Sequence, residues 1–189
     1  YSLVKLNTLK ISLDDRQMQL EPNGVISLGA GFNFKGIGLG LGIGIPSSSK
    51  SNEKYGKTRR IDMQLSILSK RVGGDAYFQA YKGYYCANPN DFMEWNESYY
   101  PQLPDMQTIS VGVSVFYILN HNRYSHKAAI SRTQVQNKSA GSITAGLFAT
   151  YDDVSTENGL VPAEFPDSIG VNFDLSAYRY IATGINLGY

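Results

Sequence analysis

Residues 37–45 read Ile-Gly-Leu-Gly-Leu-Gly-Ile-Gly-Ile, with an apolar side chain at every odd position and glycine at every even one. Successive residues of a strand point to opposite faces, so this segment makes a strand with one continuous apolar face and one bare face. A soluble sheet carries polar side chains on its second face, and glycine supplies none. A membrane strand has other needs: apolar groups toward lipid, and small or polar groups toward an enclosed lumen. The expected fold is therefore all-β, a transmembrane antiparallel up-and-down β-barrel.

At 189 residues the chain is one domain, 1–189, large enough for eight to twelve strands. A mean hydropathy of -0.24 would pass for a soluble protein. It also suits a barrel, in which half of each strand faces a polar interior. No run of about 18 apolar residues occurs, which excludes a transmembrane helix. Seventeen basic residues balance sixteen acidic ones, so nothing suggests nucleic acid as a partner. Fourteen tyrosines against the single Trp95 suit a membrane–water boundary. The lone Cys86 rules out an internal disulfide. The chain opens at Tyr1 without a start methionine or signal peptide, and reads as a mature or trimmed product.

Alternation recurs along the chain at the spacing of membrane strands, about 9–11 residues each. Segment 25–34 sets Leu28, Ala30, Phe32 and Phe34 against Gly29, Gly31 and Asn33, and Lys35-Gly36 turns the chain into 37–45. Segment 60–68 opposes Ile61, Met63, Leu65 and Ile67 to Arg60, Asp62, Gln64 and Ser66. After a turn near Gly73-Gly74, 75–85 sets Ala76, Phe78 and Ala80 against Asp75, Tyr77, Gln79 and Tyr81. Segments 108–119 and 142–151 alternate cleanly, and 123–133 less so. Residues 1–13 supply a first strand, and 168–175 with 178–189 a last hairpin. The expected count is ten.

Short turns at 35–36, 70–74 and 120–122 alternate with long polar loops at 46–59 and 86–105, the asymmetry of outer-membrane barrels. On that count 152–167, with Pro162 and Pro166, is a long segment on the short-turn side, against the rule. Phe34, Tyr117, Tyr124 and Tyr151 fall at that same side with lipid-facing parity, as one interfacial girdle. The five cleanest internal strands carry no charge on their lipid face, where one Arg or Lys at mid-depth would cost about 2–4 kcal/mol. His126 and Arg132 share the parity of Ile130 but sit toward strand ends. A soluble lipocalin-like barrel explains the alternation equally well. It explains neither the glycine-only outer surface nor the girdle.

Several stretches together are similar to an uncharacterised family of Gram-negative outer-membrane proteins, a domain of unknown function. They are Glu21-Pro-Asn-Gly24, Lys54-Tyr-Gly-Lys-Thr58, Tyr81-Lys-Gly-Tyr-Tyr85, Ser139-Ala-Gly-Ser142, and Arg123-Tyr-Ser125 with Gln136. Order and spacing over about residues 20–150 carry the match. The resemblance implies a β-barrel in the outer membrane, with members extending beyond this chain's C-terminus, and assigns no activity. Tyr189, in phase with Ile185 and Leu187, resembles the terminal aromatic read by the barrel-insertion machinery.

Catalytic motifs are weak. Gly56-Lys57-Thr58 resembles the end of a phosphate-binding loop, but Ser51 stands where its first glycine belongs. The glycines at 38–44 have period two and contain no G-x-G-x-x-G. His121 and His126 with Ser125 could be forced into a hydrolase arrangement, but no acid is near in sequence. Cys86 has no metal-ligand pattern around it. No catalytic, cofactor or metal site is expected.

The expected lumen carries Arg60, Asp62, Gln64, Asp75, Tyr77, Gln79, Tyr81 and Lys127, with Ser131 beside Lys127. These large polar groups face the small residues of 25–34 and 37–45 and fill the bore. Lys82 has lipid-facing parity beside Gly83, where it can snorkel or a bulge can turn it. The loop 86–105 offers Phe92, Trp95, Tyr99 and Tyr100 as an interface, or as a plug for the barrel mouth. The expectation is a non-catalytic structural or docking barrel of the cell outer membrane, its partners outer-membrane lipid and other outer-membrane proteins. The alternatives are a narrow, porin-like channel for small solutes and a lipid-acting enzyme.

Overall fold

The computed structural model of the chain describes residues 8–13, 16–24, 27–45, 47–130, 134–166 and 176–189. It is all-β and antiparallel. Strands β1 (Leu9–Leu13) and β2 (Arg16–Glu21) form a hairpin, and the remaining strands follow as a meander. These are β3 (Ser27–Phe34), β4 (Ile37–Gly44), β5 (Arg59–Leu68), β6 (Val72–Cys86), β7 (Gln102–Ile118), β8 (Thr144–Ser155) and β9 (Ala177–Gly188). Helix α1 (Ser49–Tyr55) lies between β4 and β5, and α2 (His126–Ile130) between β7 and β8. The order is β3-β4-β5-β6-β7-β8-β9, with β2 paired to the far end of β6. The nine-stranded sheet is not closed among the described residues.

Register carries the period-two pattern across the sheet. One line of partners runs Ala30, Leu41, Met63, Phe78, Val111, Tyr151, Ile181. The neighbouring line runs Gly31, Gly40, Gln64, Tyr77, Gly112, Thr150, Ala182. A slip of one residue in any pair would mix the two faces. Their burial is the reverse of a soluble sheet's. Leu41 is 51%, Val113 48% and Ile185 73% exposed, whereas Asp62 is 8% and Gln79 5% exposed. A lipocalin-like arrangement needs those aliphatic residues to meet in a dry centre, and they do not.

Glycines on the polar face receive aromatic rings from the strand alongside. Tyr77 lies over its partner Gly112, Phe116 over Gly73, and Phe148 over Gly184. A Cβ on each of these glycines would fall 2.2, 2.2 and 2.5 Å from the ring. This is the "aromatic rescue" by which a ring covers backbone that glycine leaves bare.

The two ends of the sheet differ. At one, the turn end, lie the tight turns 35–36 and 69–71 and residues 119–130 and 134–143; at the other, the loop end, lie 47–58, 87–101 and 156–166. The buried apolar core sits at the loop end, where Met18, Leu20, Tyr84, Cys86, Leu103, Met106, Leu160 and Phe165 pack together. It is reached through a bulge at Gly83 (φ +92°), which shifts the register between Lys82 and Tyr84. Below the bulge the odd residues of β6 face the polar side. Above it Tyr84 and Cys86 do, and both are buried. The bulge anticipated beside Lys82 is present.

Three expectations need correction. Residues 123–130 of the expected strand 123–133 do not form one. Ser125 Oγ accepts from Ala128 N at 3.2 Å, the side-chain bond of a helix N-cap, and the following His-Lys-Ala-Ala-Ile makes the short α2. Residues 131–133 lie outside the described residues, as do Arg132 and Ser131. Losing that strand reverses the direction of β8, which places 156–166 among the long loops and removes its anomaly. It also moves Tyr151 from the turn end to the loop-end half of β8, and leaves Tyr124 in a connection. Second, β1 and β2 form the core hairpin and not a wall strand, and β2 was not foreseen. Third, nine strands are present among the described residues, with 168–175 outside them. The first seven residues of the expected first strand are likewise outside them.

Replacing Gly112 by alanine puts a methyl group into the Tyr77 ring. It should lower stability by about 1–3 kcal/mol, the range of overpacking. Adding Tyr77→Ala should recover part of that loss in urea unfolding. Additive costs would show that ring and glycine are not in contact.

Candidate functional site

The polar face of β5 and β6 brings the expected lumen residues into one cluster. Asp62 is the hub. It pairs with Arg60 Nε, accepts from Gln79 Nε2 at 2.9 Å and accepts from Tyr81 OH at 3.2 Å. The Arg60 guanidinium lies 5.2 Å from the Tyr81 ring centroid. A buried carboxylate saturated in this way offers little to a substrate. Gln64, Asp75 and Tyr77 are on the same face nearer the turn end, where they and Asn33, Gly40 and Ser66 line a concavity of about 590 Å³. Lys127 does not join them from a strand. It is on α2, and its Nζ donates to the Lys35 carbonyl at 3.4 Å.

Above this cluster the loop end is tied together by Asn23, which is 3% exposed. Its N–H donates to Thr58 Oγ1 at 2.9 Å, and its Nδ2 donates to the Gly56 carbonyl at 2.7 Å. Its Oδ1 accepts from Ser51 Oγ at 3.0 Å. Thr58 Oγ1 passes the link on, donating to the Gly83 carbonyl at 2.7 Å. Helix α1 is thereby fixed against the bulge, its own start capped by Ser48. A Cβ at position 83 would meet the Lys57 carbonyl oxygen at 2.1 Å, so glycine is needed there for space as well as for φ.

Beside this knot Tyr55, Tyr85 and Tyr100 form a trio with centroids 5.0 to 5.6 Å apart. Lys54 Nζ lies 5.1 Å from the Tyr55 ring, and Tyr85 OH donates to Glu21 Oε2 at 3.2 Å. Burial, and then the neighbouring Glu21 carboxylate, raise the Tyr85 phenol's pKa. Three of the stretches singled out in the sequence, around Asn23, Tyr55–Thr58 and Gly83–Tyr85, thus meet in one place. Their common order was the only signal of it.

The four loop aromatics do not act as one surface. Phe92 stacks on Phe165 at 5.7 Å against the core, and Tyr100 belongs to the tyrosine trio. Trp95 and Tyr99 pack edge to face at 5.4 Å, with Trp95 Nε1 donating to the Tyr99 carbonyl. Tyr99 alone of the four is exposed. Asp105 anchors 156–166 over this region. Its Oδ2 accepts from the N–H groups of Glu157 and Asn158 at 2.9 and 3.0 Å and from Thr156 Oγ1 at 3.1 Å. Burial would raise its pKa, but these hydrogen bonds outweigh that and hold it below the usual carboxylate range.

At the turn end Ser125 Oγ donates to Gln134 Oε1 at 2.7 Å, while His121 contacts Tyr117 OH and His126 contacts Tyr124 OH. Among the described residues neither imidazole hydrogen-bonds the serine, as a nucleophile–base pair would require. No group of three His, Cys, Asp or Glu side chains that could hold a metal occurs among the described residues.

Cys86 offers a direct probe of the loop-end core. It is fully buried, and burial pushes its thiol pKa up to about 11 from an ordinary value of 9.0. The unfolded chain releases this proton first, so stability falls as pH rises from about 9 to about 11. Cys86→Ala should flatten the lower part of that decline. In the native protein a thiol reagent should label Cys86 only as fast as the core opens; rapid labelling would place it at the surface.

No curated protein matches this chain, and no solved structure does. A family model, described as a domain of unknown function (DUF4421), matches residues 1–189. The match covers the whole length, and the chain belongs to this family of unknown function.

Proposed function

We propose that this chain is a non-catalytic integral membrane β-barrel of the Gram-negative outer membrane, acting as a structural or docking component. The observation that carries the reading is the inverted burial: Leu41, Val113 and Ile185 exposed, Asp62 and Gln79 enclosed. On β7 the apolar face runs from Ile109 to Tyr117, which at about 3.3 Å per residue is roughly 26 Å. That is the order of the ~25 Å apolar band of outer-membrane barrels. Charges of the same parity stand at the loop-end border, where Arg59 pairs with Lys82 in register, and Asp153 with Arg179 at 2.7 Å. The turn-end border carries Phe34, Tyr117 and Tyr189, all exposed.

Hydrocarbon tolerates no unpaired strand edge. The reading therefore requires partners for β3 and β9, the two edges of the described sheet. The long loops form the docking side, with the Trp95–Tyr99 pair at its surface. On this reading the protein should leave native membranes only with detergent and float with vesicles in a density gradient. Leu41→Arg should cost about 2–4 kcal/mol in the folded, lipid-embedded protein. A monomer that stays dissolved without detergent, with Leu41→Arg within about 0.5 kcal/mol of the parent as at a water-exposed site, would overturn it.

A second reading, a narrow channel for small solutes, is favoured by space on the polar face. A Cβ at Gly40 or Gly42 would meet only ordinary contacts, the nearest at 3.8 and 3.6 Å. Planar-bilayer steps that disappear in Gly40→Leu or Gly42→Leu would support a pore. An electrically silent bilayer containing folded protein would remove it.

A further inference from the structure

Arg59 and Lys82 are direct cross-strand partners on β5 and β6, with the parity of the apolar face, and both are exposed. Directly opposed residues on one face have Cβ atoms about 5 Å apart, and like charges placed so destabilise the pair. Their line of partners continues through Gln107, Ser155 and Ala177, none of which carries a charge. Lys57, also exposed, stands two residues before Arg59, and its carbonyl packs against Gly83, the residue after Lys82. The bulge thus gathers three cations at one point of the loop-end border. Residues 47–60 as a whole hold five cations against the single carboxylate of Glu53.

Carboxylates on the neighbouring elements have other partners. Asp62 takes Arg60 on the polar face, and Glu21 accepts from Tyr85 OH at 3.2 Å. Asp153, two strands away from Lys82, takes Arg179 at 2.7 Å. None of Lys57, Arg59 and Lys82 has an ion-pair partner among the described residues. The next line of the same face runs Ile43, Ile61, Ala80, Ile109, about 7 Å further along the strands. Ile43 and Ile61 are exposed, so the unpaired cations stand at the head of an open apolar strip.

We propose that Arg59 and Lys82, with Lys57 beside them, clamp the headgroup phosphate of an anionic lipid whose acyl chains lie along Ile43, Ile61 and Ala80. A phosphate between the pair replaces their repulsion by two charge-assisted contacts, one from a guanidinium fork and one from an ammonium point. A carboxylate of another protein would answer the charge but leave the strip beside it uncovered. The lipid covers both. This site rests on the membrane reading above, and adds to it a preference for negative headgroups at the loop end.

The test titrates the full chain calorimetrically in maltoside micelles with dihexanoyl phosphatidylglycerol below its micellar concentration. Dihexanoyl phosphatidylcholine, whose choline cancels the phosphate charge, and glycerol phosphate, which has no acyl chains, are titrated separately. Phosphatidylglycerol should bind, more weakly as salt rises, and roughly tenfold more weakly to Arg59→Gln/Lys82→Gln. The exposed single variants Arg59→Gln and Lys82→Gln keep the test open should the double variant not fold, and each should lose roughly threefold. Lys70→Gln, at the turn end, should bind as the parent does. Phosphatidylcholine or glycerol phosphate bound as tightly as phosphatidylglycerol overturns the proposal. So does absence of binding by folded parent protein, or binding unchanged in the folded single variants. A chain that floats with pure phosphatidylcholine vesicles yet shows no preference for phosphatidylglycerol keeps the membrane reading and loses this one. A chain dissolved without detergent loses the membrane reading, and the same titration in plain buffer then decides the clamp.

Discussion

The structure depends on registered pairing of strands whose side chains alternate with period two. Each pair in the meander keeps apolar residues beside apolar ones, so one line of partners can run from Ala30 to Ile181 without crossing faces. Register and face are the same constraint here, since a one-residue slip in β4 would bring Leu41 to the side of Asp62. The rings that lie on Gly73, Gly112 and Gly184 lock the same register sterically, because a ring needs a partner without a Cβ.

The bulge at Gly83 divides the molecule into two parts with opposite solvation. Below it the sheet shows aliphatic residues outward and polar ones inward. Above it the β1–β2 hairpin, the ends of β6 and β7 and the segment 156–166 pack as an ordinary apolar core. The Asn23–Thr58–Gly83 chain of hydrogen bonds holds the boundary. Each of its buried groups would cost about 1–3 kcal/mol if left unpaired. Three of the short, individually weak stretches of the sequence meet here and close one knot. The distribution of charge follows the same division. Carboxylates such as Asp105, Glu157 and Glu164 lie with the long loops, while the segments 35–36, 69–71 and 119–143 contain no Asp or Glu.

Much of the sheet was legible because alternation is local. Segments 37–45, 60–68 and 75–85 were read within a few residues of β4, β5 and β6. The polar cluster around Asp62 was legible as a set of inward positions on a predicted hairpin. Its hydrogen-bond pattern was not, since Arg60, Gln79 and Tyr81 all had the parity to reach several partners. The segment 123–133 is ambiguous in sequence because apolar residues at a loose spacing suit a strand and a short helix alike, and only the Ser125 cap favours the helix. A strand there would reverse β8 and carry Tyr151 to the turn end.

By itself the sequence determined the all-β class, the two faces, and their unequal chemistry, because a strand displays its residues in strict alternation whatever surrounds it. Tertiary structure decided which end each connection occupies, that Phe92 and Tyr100 pack inward while Trp95 and Tyr99 pair at the rim, and that Lys70 lines one concavity with Arg123 and Lys127. Those outcomes come from direction of travel and, the local Trp95–Tyr99 pair aside, from contacts between segments far apart in the chain. No local pattern encodes them, because each depends on how many times the chain has already crossed the sheet.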